Sequence, residues 1–357
     1  MTSPRTFVIA EAGVNHNGSL DMAKRLIDVA AQAGADAVKF QTFKADRMVS
    51  RGAAKADYQK ARTGAEESQL DLLRRMELDA EAHRVLIEHA GKAGVAFLST
   101  PFDEESVDLL ADELGLAVLK VPSGEITNGP LLLKIAGKGR EVILSTGMST
   151  LGDIELALGA LTFGFLGGGG PPSPEAFRAA FSASREILAE RVTLLHCTTE
   201  YPAPFDEINL RAMDTLRAEF GLPVGLSDHS VGIAVPIAAV ARGAAMIEKH
   251  FTLDRGLPGP DHRASLEPAE LKAMIEGIRQ IEAALGDGCK VPMPAEAKNA
   301  AVARKSLVAA CAIRKGEPFS AQNMTAKRPG TGLDPMRYWE RIGRPANRDY
   351  QPDELLD

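Results

Sequence analysis

Residues 227–251, SDHSVGIAVPIAAVARGAAMIEKHF, carry the clearest indication of the fold. Two short apolar runs each close on a histidine, His229 and His250, and a helix-like segment separates them. This spacing is typical of a strand–helix–strand unit with parallel strands. In a parallel barrel the C-terminal ends of consecutive strands lie side by side, so we expect both imidazoles to face the same mouth. Two adjacent imidazoles at that place predict a divalent metal site.

A pair of histidines also has a simpler interpretation, in which both are core side chains satisfied by hydrogen bonds. The acidic neighbours Asp228 and Glu248 favour the metal instead. A ligating imidazole usually needs a carboxylate or a carbonyl group on its other nitrogen, which fixes its tautomer. We therefore expect His229 and His250 to bind the metal, with a partner of this kind orienting each ring.

The composition bounds the class of protein. A chain of 357 residues with 45% hydrophobic and 25% charged residues can bury one large core and a small second one. The net charge of -7 argues against nucleic acid as a partner and means that an anionic substrate needs local cations. Three widely spaced cysteines, no secretory signal pattern and no unbroken apolar stretch of membrane-spanning length predict a cytoplasmic protein without a membrane partner.

Apolar runs rich in Val, Ile, Leu and Phe alternate with helix-period segments along most of the chain. This alternation predicts an α/β protein with a (β/α)8 TIM barrel, and an open doubly wound sheet is the lesser alternative. The eight predicted strands are 7–11, 37–41, 95–99, 117–121, 142–146, 192–196, 223–227 and 245–250.

Two segments interrupt the alternation. The charged stretch 44–76 is the kind of insertion that forms a lid or a substrate loop on the top face of a barrel. The stretch 164–174, GFLGGGGPPSP, predicts a flexible surface loop, followed by an extra helix at 175–189. Neither segment receives a function from the sequence.

The domain boundary follows the last helix pattern. We predict a barrel domain at 1–285, a linker at 286–298 and a small C-terminal module at 299–357. The module holds short strand-like pieces broken by KGE and PGTG turns. A core of that size is marginal, so we expect the module to lean on another surface.

Polar side chains follow nearly every predicted strand, which is more than a packed barrel end requires. Lysines and hydroxyl groups among them suit a phosphate and a carboxylate, because ammonium groups and O–H donors compensate compact anions. Taken singly, each lysine could be a rim residue and each serine a turn residue, but together they predict an anion site. The set is Lys39, Thr100, Lys120, Ser123, Ser145 and Ser227.

Lys120 has an alternative role as the Schiff-base lysine of an aldolase. The histidine pair disfavours that role, because a metal polarises a carbonyl group by another route. Glu11, Glu125 and Asp261 are carboxylates that could orient sugar hydroxyls or move protons, although an exposed acid on a rim is commonly just solvated.

Nine ordered motifs closely resemble the sialic acid synthase family, whose members make nonulosonic acids. They are EAGVNHNG, ADAVKFQTF, STPFD, KVPSGEITN, ILSTGMST, HCTTEYPAP, GLSDHS, EKHFTLD and GPDHRASLEP. The tail ARKSLVAACAIRKGEPFSAQNMTAKRPGTGLDP, which starts at residue 303, resembles that family's C-terminal antifreeze-like (SAF, β-clip) domain.

The resemblance implies a transferase of the N-acetylneuraminate synthase type. Such an enzyme condenses phosphoenolpyruvate with N-acetylmannosamine or a related N-acetylated hexosamine and releases phosphate by C–O cleavage. It also implies that His229 and His250 hold Mn²⁺ or Mg²⁺, which polarises the sugar aldehyde. The six anion-site residues match the phosphoenolpyruvate contacts, and Glu11 and Glu248 match acidic groups near the reacting centre. Matches to the sugar contacts are Gln41, Glu125, Thr199, Tyr201 and Asp261.

Arg328, in KRPGTG, matches an arginine that the family's tail places in the barrel of the other subunit. The resemblance therefore implies a domain-swapped homodimer in which each tail caps the partner barrel.

One position departs from the family pattern. Some N-acetylneuraminate synthases have Asn where this chain has Thr199, and the variant also looks like enzymes that make legionaminate from a 2,4-diacetamido-trideoxy-mannose. Both acceptor sugars stay open at this point. More distant alternatives are a pyruvate aldolase and a carbohydrate- or ice-binding protein without enzyme activity.

Overall fold

Eight parallel strands build the first unit of the protein, in a computed structural model that describes residues 5–50, 53, 55 and 68–357. Hydrogen-bonded neighbours follow the order β3-β2-β1-β8-β7-β6-β5-β4, which leaves β3 and β4 at its two ends and the barrel nearly closed. The strands are β1 (Phe7–Gly13), β2 (Ala37–Thr42), β3 (Ala96–Pro101), β4 (Val118–Val121), β5 (Glu141–Ser145), β6 (Val192–Cys197), β7 (Val224–Asp228) and β8 (Met246–His250). The predicted (β/α)8 TIM barrel is confirmed.

Helices alternate with the strands, and most of them cover the outside of the barrel. They are α1 (Leu20–Ala33), α2 (Ala45–Met48), α3 (Gln69–Arg74), α4 (Ala80–Ala93), α5 (Glu104–Asp108), α6 (Gly129–Gly137), α7 (Leu151–Phe165), α8 (Pro174–Ala183), α9 (Glu186–Arg191), α10 (Ala212–Phe220), α11 (Ala234–Ala241) and α12 (Pro268–Ala284). The extra helix predicted at 175–189 is two helices, because the backbone at Ser184 leaves the helical region (φ -151°, ψ 77°). Within the described residues, the helices are all too short or too polar to cross a membrane.

Local sequence sets where the helices begin and end. The Ser19 hydroxyl accepts a hydrogen bond from the Met22 amide at 3.3 Å, and the Asp79 carboxylate accepts one from the Ala82 amide at 2.8 Å. Side chains of this type satisfy amides that the first helical turn leaves free. Gly34 ends α1 in the left-handed region (φ 85°), which a glycine adopts without steric cost.

Apolar side chains on both faces of the strands form two layers of core. The outward layer packs against the helices, as a parallel sheet requires. The inward layer fills the barrel with Ile9, Ala37, Leu98, Ile143 and Leu195. These apolar side chains fill the barrel interior, so the polar residues at the C-terminal strand ends lie on top of a packed layer.

The register of β7 and β8 fixes which side chains face the barrel interior. Ser227 pairs with Glu248 and Asp228 pairs with Lys249 along the two parallel strands. Successive side chains of a strand point to opposite faces. Ser227 and Glu248 therefore point inward, whereas Asp228 and Lys249 point outward toward the helices.

The second unit, Gly288–Asp357, has its own small core. It contains α13 (Pro294–Ala303) and an antiparallel pair, β9 (Ser306–Ala309) and β10 (Met324–Lys327). Buried apolar residues of this core include Leu307, Ile313, Phe319, Met324, Tyr350 and Leu356. The helix α13 begins inside the predicted linker 286–298, and the division into a barrel domain, a linker and a C-terminal module stays a prediction. The assignment of this unit as an antifreeze-like domain stays a prediction.

Gly225 in β7 is a position where the barrel tolerates no side chain. A Cβ atom there would lie 2.3 Å from the Met246 carbonyl oxygen and 2.7 Å from Leu195 Cδ2. We expect Gly225→Ala to lower the free energy of unfolding by about 1–3 kcal/mol, the usual cost of overpacking. Urea unfolding followed by circular dichroism measures this change.

The matched control is Gly137→Ala, at the end of α6, where an added Cβ has no heavy atom within 4 Å. We expect this variant to be neutral or stabilised by up to about 1 kcal/mol, since alanine is the better helix former. Equal effects of the two substitutions would contradict the packing described for β7.

Candidate active site

A cavity of about 220 Å³ opens at the C-terminal ends of the barrel strands. The structure brings together there most of the residues predicted from the sequence, from all eight strands or the loops that follow them. These are Glu11, Lys39, Gln41, Thr100, Lys120, Ser123, Ser145, Thr199, Tyr201, Ser227, His229, Glu248, His250 and Asp261.

Four charged side chains, Glu11, Lys39, Lys120 and Glu248, form the cavity floor. Lys39 pairs with Glu11 and lies 3.6 Å from the Glu248 carboxylate, while Lys120 lies 3.2 Å from the other oxygen of Glu248. All four side chains are at most 6% exposed. Charges buried this deeply have to be paired, and Glu248 is paired with both lysines.

Hydroxyl groups complete the hydrogen bonding of the floor. Lys39 donates to the Thr100 hydroxyl at 3.0 Å and Lys120 donates to the Ser145 hydroxyl at 2.7 Å. The Ser227 hydroxyl donates to Glu248 at 2.9 Å. An entering phosphate or carboxylate would therefore meet ammonium and hydroxyl donors that the strands already hold in place.

The two carboxyl groups of the floor titrate in opposite directions. Burial raises the pKa of Glu11 to about 7, although the nearby Lys39 opposes this. Burial also acts to raise the pKa of Glu248, but Lys120, Lys39 and the Ser227 hydroxyl outweigh it and lower the pKa to about 2. Glu248 is thus ionised at neutral pH, whereas Glu11 can hold or release a proton there.

The pKa values of the two lysines are also shifted in opposite directions. Burial lowers the pKa of Lys120, and the attraction of Glu248 only partly compensates. Burial acts on the pKa of Lys39 in the same direction, but Glu11 and Glu248 together raise it. With Glu11 protonated, two ammonium groups and one carboxylate give the floor a net charge of +1. In that protonation state the floor is locally cationic, in a protein whose formal charge is -7.

Gly147 lets two polar side chains meet beside the floor. A Cβ at this position would lie 2.2 Å from the Thr199 hydroxyl and 2.8 Å from the Ser123 hydroxyl. The Gly147 amide donates to the Ser123 hydroxyl at 3.0 Å. The absence of a side chain at Gly147 is thus what allows Ser123 and Thr199 to line the same cavity.

The histidine pair faces the same cavity. The imidazole centroids of His229 and His250 are 5.5 Å apart, and the Tyr201 ring packs 4.1 Å from His229. His229 Nδ1 donates to the Thr198 carbonyl at 2.7 Å, which leaves Nε2 as the nitrogen with a lone pair. His250 Nδ1 is buried and has no hydrogen-bond partner among the described residues. Burial holds the pKa of His250 well below its usual range, so this ring is neutral.

Asp228 does not orient an imidazole, contrary to one expectation from the sequence. It points outward and pairs at 2.5 Å with Lys249, whose ammonium group also donates to the Ser230 carbonyl. Ser230 closes the pair by donating its amide and its hydroxyl to Asp228, both at 3.0 Å. The ion pair therefore ties β7 to β8 directly behind the two histidines.

Two predicted residues lie elsewhere. Glu125 is half-buried in the turn after β4, where its carboxylate accepts a hydrogen bond from Asn128 at 2.7 Å, and it does not line the described cavity. Arg328 belongs to the second unit, is exposed, and donates from Nε to the Ala303 carbonyl at 3.0 Å. Its role toward a partner subunit stays a prediction.

One part of the cavity is apolar and was not predicted from the sequence. We define the apolar wall as Val14, Met48, Leu72, Leu73, Met76 and Phe102, all of which line the cavity. Three of these, Leu72, Leu73 and Met76, come from α3 and the turn after it. With Gln69 they follow the spacing i, i+3, i+4, i+7, the one-sided pattern of a helix. This signal is present in the sequence but lies inside the stretch interpreted as a charged insertion.

The fold and the cavity define a (β/α)8-barrel enzyme with a cationic floor and a pair of histidines at its mouth. Residues 26–290 match the NeuB family. The chain therefore belongs to the NeuB family, and the resemblance to sialic acid synthases is confirmed.

Three relatives are similar to this chain over most of its length. The chain is 54% identical over 352 residues to the N,N'-diacetyllegionaminic acid synthase of Campylobacter jejuni, with 99% of each chain covered. It is 44% identical to the Legionella pneumophila enzyme of the same name, over 96% of this chain and 90% of the other. The crystal structure of N-acetylneuraminic acid (sialic acid) synthetase from Leptospira borgpetersenii is 34% identical with a TM-score of 0.68, over 83% of this chain and 90% of the other.

The buried pair behind the histidines yields a prediction. Lys249→Met leaves the Asp228 carboxylate buried without its counter-ion, so we expect the free energy of unfolding to fall by about 3–5 kcal/mol. The double variant Asp228→Asn/Lys249→Met removes the uncompensated charge and should recover much of that loss. Urea unfolding of both variants measures the difference, and a loss below about 1 kcal/mol for Lys249→Met would contradict the pairing.

Proposed function

We propose that the protein is a legionaminic acid synthase, which condenses phosphoenolpyruvate with 2,4-diacetamido-2,4,6-trideoxy-mannose and releases phosphate. The observation that carries this proposal is the 54% identity, across 99% of both chains, to an enzyme of that name. The sequence motifs favoured N-acetylneuraminate synthesis first and legionaminate synthesis second. The relatives support the reverse order.

The cavity floor supports phosphoenolpyruvate as one substrate. Phosphoenolpyruvate carries a phosphate and a carboxylate on a three-carbon unit, so its recognition needs two separate sets of donors. Lys39 with Thr100 and Lys120 with Ser145 are two such sets, on neighbouring sides of Glu248. Charge-assisted hydrogen bonds of this kind are roughly twice as strong as neutral ones.

The histidine pair fits a divalent metal. His229 presents Nε2 because Thr198 occupies Nδ1, and His250 keeps a buried nitrogen without a partner among the described residues. No third His, Cys, Asp or Glu of the described part of the chain joins them in a metal-binding group, so other coordination positions would be left to water and substrate. Imidazole ligands suit Mn²⁺ better than Mg²⁺, which prefers oxygen. When bound, such an ion supplies Lewis-acid polarisation of the acceptor carbonyl.

The reaction that we propose forms a bond between C3 of phosphoenolpyruvate and C1 of the open-chain sugar. The aldehyde oxygen gains a proton, and water adds to C2 with loss of one proton. The new C2 hydroxyl then becomes the ketone as the bond from C2 to the bridging oxygen breaks, and its proton leaves with phosphate. Glu11, whose pKa lies near 7, is suited to give the first proton and to take one back from the added water, so its own charge is restored. Glu248 stays ionised throughout and keeps both lysines in place.

One observation favours a second candidate function. Burial lowers the pKa of Lys120, and a lysine with a lowered pKa is also what a Schiff-base aldolase requires. An aldolase would use pyruvate in place of phosphoenolpyruvate and would release no phosphate.

The test is an assay of phosphate release and product formation with purified protein. Phosphoenolpyruvate is offered with the diacetamido-trideoxy sugar, with N-acetylmannosamine or with no acceptor, and pyruvate replaces phosphoenolpyruvate in a parallel set. Each mixture contains either Mn²⁺ or excess EDTA. We expect phosphate release that depends on the acceptor, is fastest with the diacetamido sugar, and is lost with EDTA.

The other outcomes are informative. Faster turnover of N-acetylmannosamine would replace the proposed acceptor by the one that the motifs favoured first. Product from pyruvate, with an adduct on Lys120 trapped by borohydride, would favour the aldolase. Full activity in EDTA after exhaustive dialysis would contradict the metal.

A further inference from the structure

The cavity has two chemically different sides. The floor and the histidines offer charges and hydrogen bonds, whereas the apolar wall offers side chains without polar hydrogen-bonding groups. Among the described residues, α3 also contributes Gln69 to the cavity lining, beside the apolar wall. In the proposed reaction the floor binds phosphoenolpyruvate, and the histidines hold the metal that polarises the sugar aldehyde. The apolar wall has no role in that reaction.

The wall is rigidly built. Leu72 is 2% exposed, Leu73 8% and Met76 5%, and they pack with Phe43 and Ala45 in a small core of their own. The ring of Phe102 meets that of Phe43 edge to face, with centroids 6.2 Å apart. These side chains therefore present a fixed apolar surface to the cavity.

We propose that the apolar wall binds the C6 methyl group of a 6-deoxy acceptor sugar and thereby selects it over a 6-hydroxy sugar. The inference rests on the proposed function and adds that the site recognises the C6 substituent of the acceptor sugar. A methyl group at C6 gains apolar contact with the wall. A C6 hydroxyl in the same place would lose its hydrogen bonds to water and find no donor or acceptor on Leu72, Leu73 or Met76.

The expected size of the preference for the 6-deoxy sugar follows from the apolar character of the wall. An apolar pocket discriminates only moderately between a group and its hydroxylated counterpart, so we expect a preference of roughly 10- to 100-fold in kcat/KM. The preference should appear in the acceptor parameters, while the KM for phosphoenolpyruvate, which meets the floor, should not change.

The experiment uses two acceptors that differ only at C6, N-acetylmannosamine and 2-acetamido-2,6-dideoxymannose. Phosphate release is measured for the wild-type protein and for Met76→Gln and Leu73→Gln, which place an amide on the wall. We expect the wild type to prefer the 6-deoxy sugar and the ratio of the two kcat/KM values to fall toward one in both variants. Leu73→Met, which keeps the wall apolar, should retain the wild-type ratio.

Leu70→Gln is the matched control. Leu70 belongs to the same helix and the same small core and is 7% exposed, but it is absent from the described lining of the cavity. We expect this variant to lose thermal stability to a degree comparable with the wall variants and to keep the wild-type ratio. The control separates loss of stability from loss of selectivity.

Three results would overturn the inference: equal kcat/KM for both acceptors in the wild type, an unchanged ratio in folded Met76→Gln, or the same loss of selectivity in Leu70→Gln. Failure of the proposed function looks different, because then no acceptor, the diacetamido sugar included, would release phosphate from the wild type. That result would overturn both proposals.

Discussion

Glu248 is the carboxylate on which the active-site floor depends. It lies between Lys39 and Lys120, and without it two buried ammonium groups would face each other beside a Glu11 whose pKa lies near neutrality. Burial of an uncompensated charge costs several kcal/mol, and Glu248 supplies a counter-ion to both lysines. With Glu11 protonated, the floor then keeps a net charge of +1. A protein with a net charge of -7 thereby acquires a place for an anion.

Successive side chains of β7 and β8 point to opposite faces of the strands. The inner face carries active-site residues, and the outer face carries an ion pair that stabilises the fold. Ser227 and Glu248 point into the barrel, and the histidines that follow face the same cavity. Between them Asp228 and Lys249 point outward and form a fully buried ion pair. The pair holds the strand ends in register, so the positions of the inner groups follow from contacts made on the outer face. A shift of one residue would exchange the two faces.

Much of this organisation was predictable from local sequence. The eight strands and most site residues follow from apolar runs that end in polar side chains, since the ends of parallel strands in a barrel converge. The Thr198 carbonyl that orients His229 was not predictable by name, because every residue carries a carbonyl group. Glu125 lies outside the described cavity lining because a turn directs its carboxylate to Asn128, and its role toward the sugar stays a prediction. The apolar wall was missed because α3 is a single short helix inside a stretch whose charges obscure its one apolar face.

The proposed contact between the apolar wall and C6 would give a physical basis for choosing between the two acceptors that the motifs alone left open. Thr199 is a single difference in the cavity lining, whereas the wall is a surface of six apolar residues. Specificity in this barrel would then come mainly from the segment between β2 and β3, which supplies four of the six wall residues, while the chemistry comes from the strand ends. Such a division is common in barrels, whose loops vary on a fixed scaffold.

The most direct test of the central claim follows the bridging oxygen of phosphoenolpyruvate. With oxygen-18 between C2 and phosphorus, the phosphate released by the purified protein and its acceptor sugar is examined by phosphorus NMR. Water that adds to C2 leaves the bridging oxygen on phosphorus, so we expect all of the label to leave with phosphate. Label retained in the sugar product would show P–O cleavage and would contradict the reaction assigned to this active site.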